Sequence, residues 1–172
     1  MQSSKTPKET LAVATKVVLP NDTNPLGNLF GGKLLAWMDE ISSISAHRHA
    51  QQICVTASVN HVAFKNPIRL ADIVTLEAKV TRAFSSSMEV FIDVYVEDFQ
   101  THTRTKCNEA IFTFVAVDMK GSPAQVPTIQ PETEEEMLRY NGALRRRQLS
   151  LILAGKMLAN EATELKALFV QS

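Results

Sequence analysis

NDTNPLGNLFGGKLLAWMDE, residues Asn21–Glu40, is the stretch on which the reading of this chain turns. Its first part, Asn21–Asn28, crowds together Asn, Asp, Thr, Pro and Gly, the residues of loops. Three of the chain's six glycines, Gly27, Gly31 and Gly32, fall within six residues. From about Phe30 to Ala50 the apolar positions are Leu34, Leu35, Trp37, Met38, Ile41 and Ile44, a helical spacing that covers a wide face. So broad a face predicts a helix largely wrapped by other structure. Two acids, Asp39 and Glu40, interrupt it near its middle. A carboxylate in an enclosed helix needs a hydrogen bond or an opposite charge.

The flanking sequence supplies the wrapping. LAVATKVVLP (Leu11–Pro20) reads as a first strand ended by proline. After the helix come ICVTASVNHVAF, ADIVTLEAKVTRAF, SMEVFIDVYVEDF and TKCNEAIFTFVAVD, four runs rich in Val, Ile, Thr and Phe. Turn chemistry separates them at Asn66-Pro67, Ser85–Ser87 and Gln100–His102. Consecutive strands with short links predict an antiparallel sheet. The expectation is an α+β fold in which a strongly bent antiparallel sheet wraps around one long central helix.

Composition sets the outer bounds. The chain has 172 residues, of which 45% are hydrophobic and 21% charged, the range of an ordinary globular domain. Zero net charge argues against a broad nucleic-acid footprint. Two cysteines, Cys54 and Cys107, are too few for a disulfide framework and read as buried free thiols of a cytoplasmic protein. The first ten residues hold no apolar signal core, and no apolar run approaches the ~20 residues of a membrane span. Past Gly121, SPAQVPTIQP holds three prolines and reads as a linker, so residues 1–126 are expected to form the main domain. Residues 127–172 are expected to be this linker and a C-terminal helical extension. Thr133 and Glu136 have capping-box spacing at its start, and Leu149, Ile152, Leu153 and Met157 form one apolar stripe.

The run Asn-Asp-Thr-Asn-Pro-x-Gly-Asn-x-Phe-Gly-Gly, the following Trp-Met-Asp-Glu and ICVTASVNHVAFKNPIRLADIV resemble the hotdog-fold acyl-CoA thioester hydrolases. The likeness is to the branch of bacterial broad-range acyl-CoA thioesterases and two-domain brain-type mammalian enzymes, and spans about Leu11–Val117. It implies hydrolysis of acyl-CoA to a free fatty acid and CoA. It also implies homodimers whose sheets join, often as a trimer of dimers, a homohexamer. The family's catalytic asparagine maps onto Asn24 and its catalytic aspartate onto Asp39, contributed by different subunits. CoA is then part of substrate and product, and no separate cofactor is expected.

The residues themselves suit that chemistry. A simple thiol has a pKa of about 8.5, so a thiolate leaves without a strong general acid. A base or nucleophile and an oxyanion hole suffice. Free N–H groups at Gly31 and Gly32, where the helix begins, can hold an oxyanion, and missing side chains allow close approach. The same pair also fits a tight loop-to-helix turn without a ligand. Asp39 fits a general base for water or a nucleophile forming a mixed anhydride; the residues alone also fit an acid facing solvent. Asn24 fits an amide that orients water or polarises the carbonyl, or equally an Asx-turn before Pro25. Thr56 and Ser58 are expected on one face of the second strand, lining an acyl tunnel or simply packing. Lys65, Arg82 and the Ser85-Ser86-Ser87 turn are candidate partners of the CoA phosphates, against a solvated hairpin.

Other classes fit less well. No Cys/His cluster has zinc-ligand spacing, and no Gly-x-Ser-x-Gly elbow is present. A 3-hydroxyacyl-thioester hydratase or dehydratase commonly needs a His paired with an acid, and His47 and His49 come too late in the helix. A non-catalytic acyl-CoA-binding regulatory module would keep the pocket without the carboxylate, which is here as Asp39. A DNA-binding regulator would want a basic helix-turn-helix, which Arg145–Arg147 do not supply.

Overall fold

In the computed structural model the described residues are 4–98 and 100–170; Phe99, in the run expected to form the fourth strand, lies outside them. By its contacts the chain divides into two compact units, Met1–Gln130 and Pro131–Ser172.

The first unit holds a short helix α1 (Pro7–Thr10), strand β1 (Ala12–Val17) and the long helix α2 (Gly31–Ala50). Strands β2 (Ile53–Phe64), β3 (Ile73–Ala83), β4 (Ser87–Glu97) and β5 (Arg104–Val117) follow. All pairings are antiparallel, in the order β1-β3-β4-β5-β2, so the strand that follows the helix lies at one edge. Alternation shows which face is inside: Leu76, Ala78 and Val80 of β3, Val90, Ile92 and Val94 of β4, and Ala110, Phe112 and Phe114 of β5 are buried. Helix α2 packs on that face against all five strands, burying Leu34, Trp37, Met38 and Ile41. Each fully buried large apolar side chain contributes about 1.5–3 kcal/mol. This is the hotdog fold expected above.

The last turn of α2 is held from outside. Lys5 Nζ donates to the carbonyls of Arg48 (2.7 Å) and His49 (2.9 Å), satisfying groups the helix itself leaves free. His49 is buried and donates from Nε2 to Pro127 O at 2.8 Å. Burial lowers its pKa, the Pro127 bond opposes that, and the ring stays neutral. Lys5 also pairs through its backbone with Thr128 and Gln130, so residues 127–130 are sewn into the first unit.

The second unit comprises α3 (Glu134–Leu153) and α4 (Thr163–Val170). Thr133 Oγ1 accepts the Glu136 N–H at 3.2 Å and the Glu136 carboxylate accepts from Thr133 N, the expected capping box. Leu165 N–H donates to Gln148 Oε1 at 2.9 Å, tying α4 to α3. No helix among the described residues is long and apolar enough to cross a membrane.

Candidate active site

The loop before α2 is built on its own side chains. Asn24 Oδ1 accepts the N–H groups of Leu26 (3.0 Å) and Asn28 (3.2 Å), an Asx-turn. Gly27 closes that turn with φ +75°, where a side chain would be strained. The amide of Asn24 thus spends its oxygen on the loop and keeps its NH₂ as a donor.

Asp22 fastens the same loop to the helix. Its Oδ2 accepts the Leu19 N–H at 3.1 Å, its Oδ1 pairs with Lys33 Nζ at 3.2 Å, and its backbone oxygen accepts the Phe30 N–H at 2.8 Å. The Leu19 N–H is the main cause that holds its carboxyl below the usual range, with Lys33 adding to it. Sequence reasoning passed over Asp22 and Lys33. The signal was there: an acid three residues after Leu19 with Pro20 between is the spacing of a capped turn.

Helix α2 then begins without a capping side chain. Phe30 is its N-cap and makes no side-chain bond to the first turn. Its carbonyl accepts from Lys33 N and Leu34 N, while the N–H groups of Gly31 and Gly32 have no partner among the described residues. A Cβ on Gly32 would meet the Phe30 ring at 2.9 Å, so a side chain there would push the exposed Phe30 ring aside. Two free donors at the positive end of a 20-residue helix are of the kind that can hold an anion.

Asp39 lies two turns further on and is half-buried. Its Oδ1 accepts the Thr56 hydroxyl at 2.8 Å. Glu40 is exposed and reaches Lys16 at 3.9 Å. A β-bulge at Ala57 shifts the register between β2 and β5, so Thr56 stands opposite Phe114 and Ser58 opposite Thr113. Phe114 is on the helix side and Thr113 on the other. The expectation that Thr56 and Ser58 share a face is therefore incorrect, because the extra residue breaks the two-residue alternation. On the outer face Ser58 Oγ instead donates to Asn60 Oδ1 at 2.7 Å, and Asn60 Nδ2 donates to Thr113 Oγ1 at 2.6 Å.

The candidate phosphate partners fall at opposite ends of the sheet. Lys65 is near the start of α2, with Nζ 2.7 Å from Glu109. Arg82 lies over the Phe84 ring at 5.8 Å. The carbonyls of Ser85, Ser86 and Ser87 accept from Val126, Ala116 and Phe84. Ser87 pairs with Val115, which pairs with Val55, whereas Phe64 beside Gly31 lies nine residues along β2, roughly 30 Å away. One chain thus gathers Asn24, Gly31, Gly32 and Lys65 towards one end of the sheet, while Thr56, the partner of Asp39, is level with Met88 and so only one residue from the level of Ser87, near the end that holds Arg82 and Ser85–Ser87.

Cys54 and Cys107 are free and buried, and burial pushes both thiols up to about 11, so neither is a thiolate nucleophile at neutral pH. No group of three or more His, Cys, Asp or Glu side chains among the described residues could hold a metal ion.

Comparison with known proteins places this arrangement. Residues 26–101 match the thioesterase superfamily. A Bacillus subtilis protein named as an uncharacterized acyl-CoA thioester hydrolase, YkhA, is 47% identical over 139 residues, which is 81% of each chain. The crystal structure of an apo-hexameric acyl-CoA thioesterase superposes with a TM-score of 0.85 at 40% identity, covering 88% of this chain and 97% of that one. An acyl-CoA hydrolase from Staphylococcus aureus, solved with butyryl coenzyme A, coenzyme A and coenzyme A disulfide, gives 0.84 at 35% identity, covering 89% and 94%. That hydrolase has also been solved with an asparagine, an aspartate or a threonine replaced by alanine. The asparagine stands fifteen residues before the aspartate, and the threonine seventeen after it. The chain spans about a quarter of the mammalian thioesterases it matches. It belongs to the thioesterase superfamily. Within it, the chain is one of the hotdog-fold acyl-CoA thioester hydrolases, and is an enzyme of that class.

Proposed function

We propose that this chain hydrolyses acyl-CoA to a free carboxylic acid and CoA, with Asp39 and Asn24 as catalytic side chains and the Gly32 N–H as oxyanion donor. The observation that carries the reading is spacing joined to geometry. Asn24, Asp39 and Thr56 stand fifteen and seventeen residues apart, as do the three residues replaced in the S. aureus hydrolase. Here Thr56 also holds Asp39 directly.

The chemistry follows from what each group has free. Thr56 occupies Asp39 Oδ1 and leaves Oδ2 to act. As a general base, Oδ2 takes a proton from water and the oxygen attacks the thioester carbon. The carbonyl oxygen becomes an oxyanion facing the free N–H groups of Gly31 and Gly32. The C–S bond then breaks, and the CoA thiolate takes up the proton. As a nucleophile, Oδ2 attacks the carbon itself, expels the thiolate and is freed when water cleaves the anhydride. A single turnover in ¹⁸O-water can identify the nucleophile: when water cleaves the anhydride at the Asp39 carbonyl, solvent oxygen enters the carboxylate, which the general-base route never labels.

The site is completed across two chains. Gly32 and Asp39 are seven residues apart on one helix, about 10 Å along its axis. Oxyanion donors and base must converge on one carbonyl, so an antiparallel second helix has to bring its own Asp39 to this Gly32. Strand β2 offers the surface for that partner. It is a 12-residue edge strand with Ile53, Val55 and Phe64 about half exposed, and bare edges of this kind are normally covered. Pairing of β2 with its copy makes a homodimer, and three dimers make a hexamer. In that assembly Arg82, Ser85–Ser87 and Lys65 of neighbouring chains can meet the phosphates of one CoA.

Release of free thiol from purified protein and a series of acyl-CoAs tests the function. Turnover by the wild type and its loss in a folded Asp39→Ala protein are expected. No thiol release from any acyl-CoA would refute the reading.

A further inference from the structure

Strand β2 carries a second register shift beside the one at Ala57. Against β5 the pairing slips again between Val59 and His61, so Asn60 is also an extra residue. Strand β5 itself alternates regularly from Asn108 to Ala116. Its even-numbered positions turn away from β2: the Ala116 N–H donates to Ser86 O at 2.8 Å, on the β4 side. The β2 residues opposite those positions therefore turn their own N–H and C=O groups away from β5, to the free edge of the sheet. They are Cys54, Thr56, Val59, Val62 and Phe64. Cys54 shows the direction, since its N–H leaves the sheet and donates to His47 Nε2 at 3.3 Å. Nδ1 of the same ring lies 2.7 Å from Ser43 O, so Nδ1 carries the proton and Nε2 is the acceptor.

The intervals between these five residues are two, three, three and two, the same from either end. A strand that pairs with its own copy about a two-fold axis sets each residue opposite the one equally far beyond the axis. With the axis at Val59, Thr56 faces the partner's Val62, and each bulged interval meets a bulged interval. Every other axis that faces three or more of these residues sets a bulged interval against a regular one, where bend and twist differ.

We propose that the two bulges encode one self-complementary register, in which β2 pairs with a second copy of this chain about a two-fold axis at Val59. The inference rests on the shared-site reading above. Thr56, Val59 and Val62 give three facing pairs with two hydrogen bonds each. His47 already holds the Cys54 N–H, which closes the ladder at either end. Val59 stands opposite buried Phe112, so its 40% exposed side chain lies on the helix side and meets its own copy on the axis. A bulge ordinarily turns an edge away from other strands, so matched bulges admit the copy and exclude a regular strand. The register also completes the site. Thr56, which holds Asp39, stands opposite the partner's Val62. The partner's Phe64 is two residues further on, about 7 Å, and within each chain Phe64 lies beside Gly31. Each Asp39 is thereby carried to the other chain's helix start.

Cross-linking tests the register. Cysteine replaces Val59, Thr56 or Val62 in a Cys54→Ala, Cys107→Ala background whose fold and oligomer size match wild type by circular dichroism and light scattering. Facing residues of a hydrogen-bonded pair have Cα atoms about 5.5 Å apart, within disulfide reach, whereas two copies of Thr56 would stand ~14 Å apart. Mild oxidation should join Val59→Cys chains into a covalent dimer, linked 59 to 59 by mass spectrometry, that still releases thiol from acyl-CoA. Thr56→Cys or Val62→Cys chains alone should not link, but the two co-expressed should, 56 to 62. A short thiol-bridging reagent covers the case in which strain opposes the disulfide. A link from 56 to 56 or from 62 to 62 would overturn the proposal, as would no link at Val59 by either chemistry in a folded oligomer. A monomeric wild type would overturn it together with the shared site. Deletion of Ala57, of Asn60 or of both gives an independent reading. Either single deletion should weaken the dimer on the order of tenfold or more in Kd, and the double deletion, which makes the intervals equal again, should recover it. Folded single deletions that dimerise like wild type would overturn the proposal. A wild type that hydrolyses no acyl-CoA while the 59-to-59 link forms would instead uphold the register and bring down the functional reading.

Discussion

Thr56 Oγ1 lies 2.8 Å from Asp39 Oδ1, linking the edge strand β2 to the middle of the helix it borders. The contact exists because Thr56 alternates with buried Cys54 and stands opposite Phe114 on the helix side of the sheet; the bulge that follows at Ala57 turns Ser58 to the other face. It aims a carboxylate that helix geometry alone would leave free to rotate. Replacing Asp39 with Ala should lower kcat by ~10²–10⁴-fold. Thr56→Val keeps the shape and removes the hydroxyl, and should cost on the order of tenfold in kcat with KM little changed. Steady-state kinetics on proteins of native circular dichroism decide this; equal kcat in Thr56→Val and wild type would remove Thr56 from the mechanism.

Asp22 and Lys33 hold the turn that leaves the Gly31 and Gly32 donors unpaired. Asp22→Asn keeps an acceptor for the Leu19 N–H but loses the ion pair, while Asp22→Ala loses both. Turnover and Tm should fall in the order wild type, Asn, Ala, with the Ala variant down on the order of tenfold in kcat. Full turnover in Asp22→Ala would show that the turn needs no such staple.

Much of this fold was legible because its signals are local. The helix over Gly31–Ala50, the Thr133 capping box and the four long strands follow from periodicity and turn chemistry. What was hidden depends on pairing between distant segments. The bulge at Ala57 leaves no mark in β2 itself, so Ser58 was placed on the wrong face. Nothing near Ser85 says that its hairpin ends level with Val55 rather than beside Gly31. Asn24 shows a third limit. Its Asx-turn and its suggested catalytic part use different atoms of one amide, so the two readings posed as rivals are compatible.

Acid should loosen the outer face of the sheet through Glu109. Burial raises its pKa, but Lys106 (2.6 Å) and Lys65 (2.7 Å) outweigh that and bring it down to about 2. A folded pKa below the unfolded one gives stability that is present above the unfolded value, about 4.5. That stability is lost as pH falls from there towards 2. Denaturant melts between pH 7 and pH 3 should show the loss, and Glu109→Gln should flatten it below pH 4.5. An unchanged pH slope in the variant would count against this pair.

The second unit should serve assembly or chain preference rather than bond cleavage. Leu138, Leu149 and Leu153 of α3 are 73%, 45% and 80% exposed, more apolar surface than a free helix normally carries. Because residues 127–130 are bound to Lys5 and His49, the informative truncation is after Gln130. The shortened protein should keep measurable turnover and change in oligomer size or acyl preference, as read by light scattering and the chain-length profile. A folded truncation with intact oligomer and no activity would contradict this.

The claim that two chains share one site is tested most directly by mixing two defects. Asn24→Ala and Asp39→Ala chains, each nearly inactive alone, are co-expressed with different tags and the mixed dimers verified by double purification. In a mixed dimer one site inherits both defects and the other inherits neither. A random mixture should therefore recover up to about a quarter of wild-type activity, and purified mixed dimers about half. Verified mixed dimers no more active than either parent would mean that Asn24 and Asp39 act within one chain, and the shared site would be wrong.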